Sequence, residues 1–262
     1  MKHNEIKKYW NERALEFKTS PEATTNDYYM RQLEIETLKS KIKIYQQDIN
    51  NIADVGCGNG YSTIELAKQF PKIQFFGFDY SEEMIKNAKI NAIEADVKNI
   101  SFDVLDILEG VIKEKYDLIY TDRCLINLSS WEDQKTALQK IFSALSDNGK
   151  YLMIENFMNG QNNLNALRKE FGLKDIEVRV HNLFFNLEEV QDFTKNLGLK
   201  FELYENISSL YYLVSRVIYS NICMKDGIEP DYYDIHHELA SKLPACGDFG
   251  PIALCTIKKE SI

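Results

Sequence analysis

The chain has no excess of positive charge. Its 31 lysines and arginines stand against 40 aspartates and glutamates, a formal net charge of −9. No basic stripe is left to meet a phosphate backbone, which excludes nucleic acid as the main partner. Cysteine is sparse and unpatterned: Cys57, Cys124, Cys223, Cys246 and Cys255 are odd in number and contain no Cys-x-x-Cys pair. That excludes a disulfide frame or a zinc site and leads us to expect reduced thiols in a cytoplasm. Long apolar runs are missing as well. The first fifteen residues are too polar for a signal peptide, and the most apolar later stretch, Ile207–Met224, carries Arg216 and several hydroxyls, so no membrane span is expected. There is no internal repeat or low-complexity linker. No carboxylate–histidine cluster has metal-ligand spacing, so metal dependence is not expected. What remains is 262 residues, 44% hydrophobic and 27% charged, the balance of a soluble enzyme. The length fits one large α/β domain with an insertion, or two small domains.

The organising stretch is 51–61, Asn-Ile-Ala-Asp-Val-Gly-Cys-Gly-Asn-Gly-Tyr. Ile52, Ala53 and Val55 read as a buried strand, broken by the alternating Gly56, Gly58 and Gly60. Residues 61–70 then have helix composition until Pro71. Strand, glycine turn and helix bring backbone N–H groups and a positive helix end against a ligand. The next apolar run, 73–78, ends in Asp79, nineteen positions past Gly60. Doubly wound nucleotide folds place a carboxylate there for ribose hydroxyls.

The rest of the chain alternates. Helices are expected over 4–18 and 27–44, joined by the turn-rich 19–25 and forming a cap or a lid. Strand 51–55, helix 61–70, strand 73–79, helix 82–94, strand 100–105, strand 116–121, helix 131–145 and strand 150–155 follow, which means a parallel sheet with helices on both faces. Further helices are expected at 161–171 and 186–197, an alternating strand-like run at 176–180, a strand at 199–205 and an antiparallel closing strand at 251–258. The connection 207–247 is too long for a hairpin loop and holds two expected helices, 208–223 and 231–242. The parts are then a cap (1–46), a cofactor core (47–206), an acceptor-cover insertion (207–247) and a closing strand (248–262) in one domain.

The turn is Asp54-x-Gly56-x-Gly58-x-Gly60, not the Gly-x-Gly-x-x-Gly of dinucleotide enzymes, which disfavours a dehydrogenase. It resembles the first motif of class I S-adenosylmethionine-dependent methyltransferases, and the resemblance runs at least from Asn51 to Glu155. It implies a Rossmann-like, seven-stranded, mostly parallel sheet with S-adenosylmethionine as cofactor. Gly56, Cys57, Gly58 and Gly60 then take its amino-acid portion, with Asp54 orienting the turn or reaching the ammonium through water. Asp79, with Tyr80 beside it, takes the ribose. Asp106 takes the adenine amino group, with Asp103 as competing candidate, and Ile107 packs the ring. Similar enzymes often begin with a Trp-x-x-Arg-Ala helix, which makes Arg13, Thr25 and Arg31 candidates for the methionine carboxylate.

For the acceptor, His181 is the candidate general base, since an imidazole of ordinary pKa can take a hydroxyl proton at neutral pH. Arg123 is a candidate anion clamp or else a salt-bridge partner. Tyr212, Arg216 and Tyr219 fall at i, i+4 and i+7 on helix 208–223, a face suited to a sugar ring or a phosphate. Glu155 and Asn156 are expected to face the same crevice. An Asn-Pro-Pro-Tyr-like motif of amide and base N-methyltransferases is absent after the fourth strand. A weaker resemblance, to methyltransferases of bacterial surface-polysaccharide clusters, implies O-methylation of a sugar or a phosphate-bearing sugar precursor. N- or carboxyl-methylation of a small metabolite, and a non-catalytic S-adenosylmethionine-binding regulator, stay open.

Overall fold

The computed structural model describes residues 3–259. Seven strands form one sheet in the order β3-β2-β1-β4-β5-β7-β6: β1 (Asn51–Val55), β2 (Gln74–Asp79), β3 (Ile100–Val104), β4 (Tyr116–Asp122), β5 (Leu145–Asn156), β6 (Lys200–Glu205) and β7 (Ile252–Lys258). The first five pair in parallel, while β7 slots antiparallel between β5 and β6. Strand order reverses between β1, which leads outward to β2 and β3, and β4 on its other side. Ligands of open α/β sheets bind at such a switch point, beyond the C-terminal strand ends.

Alternation along the strands fills both faces of the sheet. Ala53, Ile119 and Met153 join a core with Leu138 and Ile141 of α5 (Trp131–Ala144) and Val190 of α7 (Leu187–Asn196). Ile52, Leu118 and Leu152 point the other way, to Leu38 and Ile42 of α2 (Tyr28–Tyr45) and Leu66 of α3 (Tyr61–Gln69). The helices start where side chains satisfy orphan N–H groups: Asp27 caps α2, Ser81 caps α4 (Glu82–Glu94), Ser130 caps α5 and Asn186 caps α7. Helix α1 (His3–Phe17) lies before the joint and crosses toward the strand ends.

Two expectations fail. Residues 176–180 form no strand; their backbone is taken up by α6 (Met158–Glu170), where Gln161 and Asn165 donate to the Ile176 carbonyl at 2.8 and 3.1 Å and Asn165 Oδ1 accepts its N–H at 2.9 Å. Helix 208–223 is not uniform either. It runs as α8 (Ser209–Tyr212), a π-helical segment Leu213–Ile218 and α9 (Tyr219–Asp226), followed by the short α10 (Ile235–Ala240). The wider turn changes the face met by later residues. Ile218 is 41% exposed, and Tyr219, expected beside Arg216, is buried against His236.

The turn before β7 packs directly on α6. A Cβ at Gly160 would stand 1.9 Å from the Gly250 carbonyl oxygen, which Asn206 Nδ2 already holds at 2.6 Å. Gly160→Ala should therefore cost about 3 kcal/mol, the upper part of the overpacking range. The check is urea unfolding, where the midpoint should fall at unchanged slope; an unmoved midpoint would show that α6 slides freely.

Candidate active site

A cleft of about 770 Å³ opens at the switch point, lined from β1, β2, β4, α1, the 24–27 joint and the 176–184 loop. The glycine turn forms its floor. Gly56, Gly58 and Gly60 all have positive φ, at 86°, 54° and 78°, which glycine adopts without a Cβ penalty. The turn spends its own donors, however. Gly56 and Cys57 N–H both bond the Phe78 carbonyl, Gly58 N–H bonds Asp79 Oδ2 at 3.0 Å, and Gly60 N–H bonds the Cys57 carbonyl. The glycines instead admit close neighbours: a Cβ on Gly56 would strike Cys124, and one on Gly58 would strike Thr24. Gly60 stands off the cleft and packs on Phe102 and Ala88, which corrects its expected place against a ligand.

Carboxylates crowd the strand ends. Asp54, 3% exposed, accepts from Thr63 Oγ1 at 2.6 Å and Tyr120 OH at 2.7 Å, so it ties β1 to α3 and β4 and thereby orients the turn. Burial pushes its carboxyl up to about 7. Asp79 accepts from Gly58 N–H through one oxygen and from Ser81 N–H through the other, at 2.9 Å, leaving a lone pair on each; burial raises it to about 6. Tyr80 lines the cleft beside it, its hydroxyl bonding the Lys7 carbonyl at 3.3 Å. Asp106 and Ile107 line the same end, whereas Asp103 lies exposed on β3, outside the lining. Burial lifts the Asp106 carboxyl, but the Lys7 ammonium, the Leu108 N–H and His3 outweigh it and leave it below the ordinary carboxylate range.

Glu155 does not face the crevice. Its two oxygens accept the N–H groups of Cys124, Leu125 and Ile126 at 2.9–3.2 Å, fixing the loop after β4. Asn156 does line the cleft, and its Oδ1 is buried with no hydrogen-bond partner among the described residues.

The arginines divide by partner. Arg123, at φ 51°, lays its guanidinium on the fully buried Glu34, with Nε at 2.7 Å and Nη2 at 3.0 Å. Burial opposes its charge, but Glu34 and Asp122 more than offset this and hold it protonated. Of the two sequence readings, the salt bridge is what the geometry contains. Arg13 turns its Nε to the Ala23 carbonyl at 2.9 Å and its Nη2 to that of Glu22, bracing the joint. Arg31 is 4% exposed, bonds the Thr25 carbonyl at 2.6 Å and has no carboxylate within ion-pairing reach among the described residues. A buried cation so poorly partnered calls for an anion. Thr25 lines the cleft next to it.

At the other end, His181 stacks on Tyr9 with ring centres 4.7 Å apart, and Trp10 meets it edge-on. Burial and then Arg179 push the imidazole below its ordinary value, so it is neutral at neutral pH. Tyr212 and Arg216 line the cleft, with Arg216 stacked 4.5 Å over Tyr232. Sequence reasoning missed what holds Arg216: Asp27 Oδ2 at 2.6 Å and the buried His237 at 3.2 Å, with Tyr211 OH bonding both Asp27 and His237. His237 had only its charged surroundings to mark it, and no local signal pairs residues so far apart in the chain.

An α/β sheet with a glycine turn, a ribose-type acid and a two-ended cleft defines a class of nucleoside-cofactor enzymes. Residues 46–204 match the family described as "Methyltransferase domain", and the chain belongs to that family, whose methyl donor is S-adenosylmethionine. It is 28% identical over 144 residues to malonyl-[acyl-carrier protein] O-methyltransferase 1 of Ilyobacter polytropus, covering 55% of this chain and 51% of that protein. It is 27% identical over 180 residues to carboxy-S-adenosyl-L-methionine synthase of Nautilia profundicola, covering 68% and 73%. The chain thus spans about half the length of the malonyl-[acyl-carrier protein] methyltransferases it matches. The plantazolicin methyltransferase BpumL, solved with a pentazolic desmethylPZN analog and SAH, superposes with a TM-score of 0.58 at 17% identity over 99% of this chain and all of that one, which establishes the fold. No helix among the described residues is long and apolar enough to cross a membrane.

The residues present fit the cofactor: Arg31 has Glu34 and Asp122 near it but no carboxylate in direct contact among the described residues, and Asp79 keeps two acceptor positions. The buried acids also set a pH dependence. Folded Asp54 binds its proton more tightly than an unfolded aspartate of pKa 3.8. Its contribution to stability is therefore full below about pH 4 and is lost as pH rises through about 7. Asp54→Asn, which has no carboxylate to ionise, should gain on wild type by a few kcal/mol across that window. Urea unfolding at a series of pH values reads the difference, and a difference flat with pH would refute the assignment.

Proposed function

We propose that this chain is an S-adenosylmethionine-dependent methyltransferase acting on an oxygen of a small polar acceptor, a hydroxyl of a sugar or of a phosphate-bearing sugar precursor. The observation that carries this reading is the two-ended cleft. An under-partnered buried Arg31 and the acceptor pairs of Asp79 lie toward one end, and a neutral His181 walled by aromatic rings lies at the other. The bound cofactor supplies a methyl group on a positively charged sulfur, already activated for displacement.

In this reading Arg31 holds the cofactor carboxylate, Asp79 accepts from the ribose hydroxyls, and Asp106 with Ile107 receives the adenine. Gly56, Cys57 and Gly58 let the amino-acid portion lie close to backbone. Tyr212, Tyr232 and Arg216 wall the acceptor end, the Arg216 guanidinium held by Asp27 and His237 and stacked on the two rings. A ring nitrogen of His181 would take the hydroxyl proton as the acceptor oxygen gains the methyl group and the carbon–sulfur electron pair stays on the departing sulfur, so that a neutral ether and the neutral thioether SAH result.

A second reading, methylation of a carboxylate, is favoured by Arg179. It is exposed in the cleft, and its guanidinium makes no hydrogen bond or ion pair among the described residues. A carboxylate needs no base, so His181 separates the two.

Calorimetry with SAM and with its demethylated product, SAH, comes first. Asp79→Ala should weaken SAH at least about a hundredfold through the loss of two charge-assisted hydrogen bonds; indifference to Asp79 would end the cofactor assignment. Release of SAH with a panel of sugars, sugar phosphates and carboxylic acids then identifies the acceptor. For a hydroxyl acceptor, His181→Ala should lower kcat by about a hundredfold or more at unchanged SAH affinity. Full turnover in that variant would select the carboxylate reading.

A further inference from the structure

Helix α1 is held very differently at its two ends. Asparagines of the core grip its C-terminal end and the joint: Asn87 donates to the Ala14 carbonyl at 3.3 Å, Asn59 to those of Lys18 and Ser20 at 3.2 and 2.7 Å, and Asn91 to that of Thr19 at 3.4 Å. Lys18 itself sits at φ 47°, so the chain turns sharply where it is gripped. The N-terminal half is held instead through side chains that meet the walls of the cleft. It crosses the cleft and touches both ends of it within one helical turn.

Toward the cofactor end, the Lys7 ammonium pairs with Asp106 and lies 5.6 Å from the centre of the Tyr80 ring, while Tyr80 OH bonds the Lys7 carbonyl at 3.3 Å. Toward the acceptor end, Tyr9 stacks on His181, and Trp10 donates its indole N–H to Asn127 Oδ1 at 3.1 Å. Asn127 is in turn fixed by the Arg123 and Cys124 carbonyls at 2.9 and 3.2 Å. The 176–184 loop is pinned on both sides of His181, at Ile176 by Gln161 and Asn165 and at Leu183, whose N–H donates to the Ile126 carbonyl at 2.7 Å and whose carbonyl accepts from Gln134 Nε2 at 2.9 Å. The imidazole itself makes no hydrogen bond among the described residues, so the setting of the ring rests on Tyr9 and Trp10.

We propose that Lys7 is a positioning residue for His181: by clasping Asp106 it draws the N-terminal half of α1 across the cleft and sets Tyr9 and Trp10 against the imidazole. The inference rests on the methyltransferase reading above and gives it an order of events. The acceptor-side wall is complete only when α1 is closed over the adenine end, so the cofactor site and the base are assembled by one helix. The charged or titratable groups facing His181 are Arg179 on its own loop and the Tyr9 phenol on α1. Those facing Lys7 are Asp106, His3 and Tyr80.

The test needs no acceptor. Wild type, Lys7→Met and Lys7→Arg are compared by SAH calorimetry and by NMR of the His181 ring. In wild type the His181 ring protons should carry the upfield shift of a proton stacked on a phenol. In Lys7→Met that shift should collapse, the titration midpoint of His181 should climb back toward its ordinary value, and SAH should bind about tenfold or more weakly for the lost ion pair. Lys7→Arg, which keeps a cation able to reach Asp106, should restore all three. An unaltered His181 ring shift in Lys7→Met overturns the proposal even if SAH affinity falls, because Lys7 would then serve the cofactor alone. If wild type does not bind SAH, the functional reading fails, and the ring shift still decides whether Lys7 positions His181.

Discussion

Four neighbouring strands end in a buried or half-buried carboxylate on the same edge: Asp54 on β1, Asp79 on β2, Asp122 on β4 and Glu155 on β5. Like charges this close, in a region of low dielectric, must be solvated by protein or left partly protonated. Most of the local architecture answers that demand. Thr63 and Tyr120 turn to Asp54, backbone N–H groups of the glycine turn and of α4 to Asp79, and three N–H groups of one loop to Glu155. Asp122 is the exception: its Oδ1 has no hydrogen-bond donor among the described residues, and Arg123 Nε stands 3.9 Å away. An edge this acidic favours a cation laid across it, and a sulfonium with an ammonium in the same molecule is a ligand of that kind.

The same edge explains how much of the molecule was legible in the sequence. Strands were readable because their alternation and length follow from burial on two faces, and a strand end followed by an acid is a local pattern. The switch point follows from the strand order, which placed Gly56, Asp79 and Asp106 in one cleft. Partners chosen across long separations were not readable. Glu155 was expected in the crevice because it stands at a strand end, but three unpaired N–H groups of the loop after β4 are nearer than solvent and claim it. Gly60 carries the same spacing signal as its two neighbours, yet the space beside it is filled by Phe102. A π-helical turn defeats any reading by period, since one added residue moves every later side chain to another face; that is why Tyr219 leaves the line of Tyr212 and Arg216.

The joint before α2 connects the two ends of the cleft by a second route. Thr24 rests on Gly58, and the Thr25 carbonyl holds Arg31. Two residues on, Asp27 both caps α2 and binds Arg216 at 2.6 Å. A carboxylate shared in this way has little freedom. Moving it toward Arg216 loosens the first turn of α2, and moving the joint off Gly58 withdraws Asp27 from Arg216. His237 and Tyr211 close the remaining valences, and burial with the nearby Arg216 pushes the His237 imidazole down to about 4, so it stays neutral and adds no second positive charge. Arg216 is therefore held, through Asp27, by the same joint whose Thr24 rests on the glycine turn. The segment carrying Tyr212 and Arg216 is thus tied to the sheet's ligand edge more firmly than its length alone would imply. In the function proposed above, an acceptor bound there would be positioned through the same joint that holds Arg31.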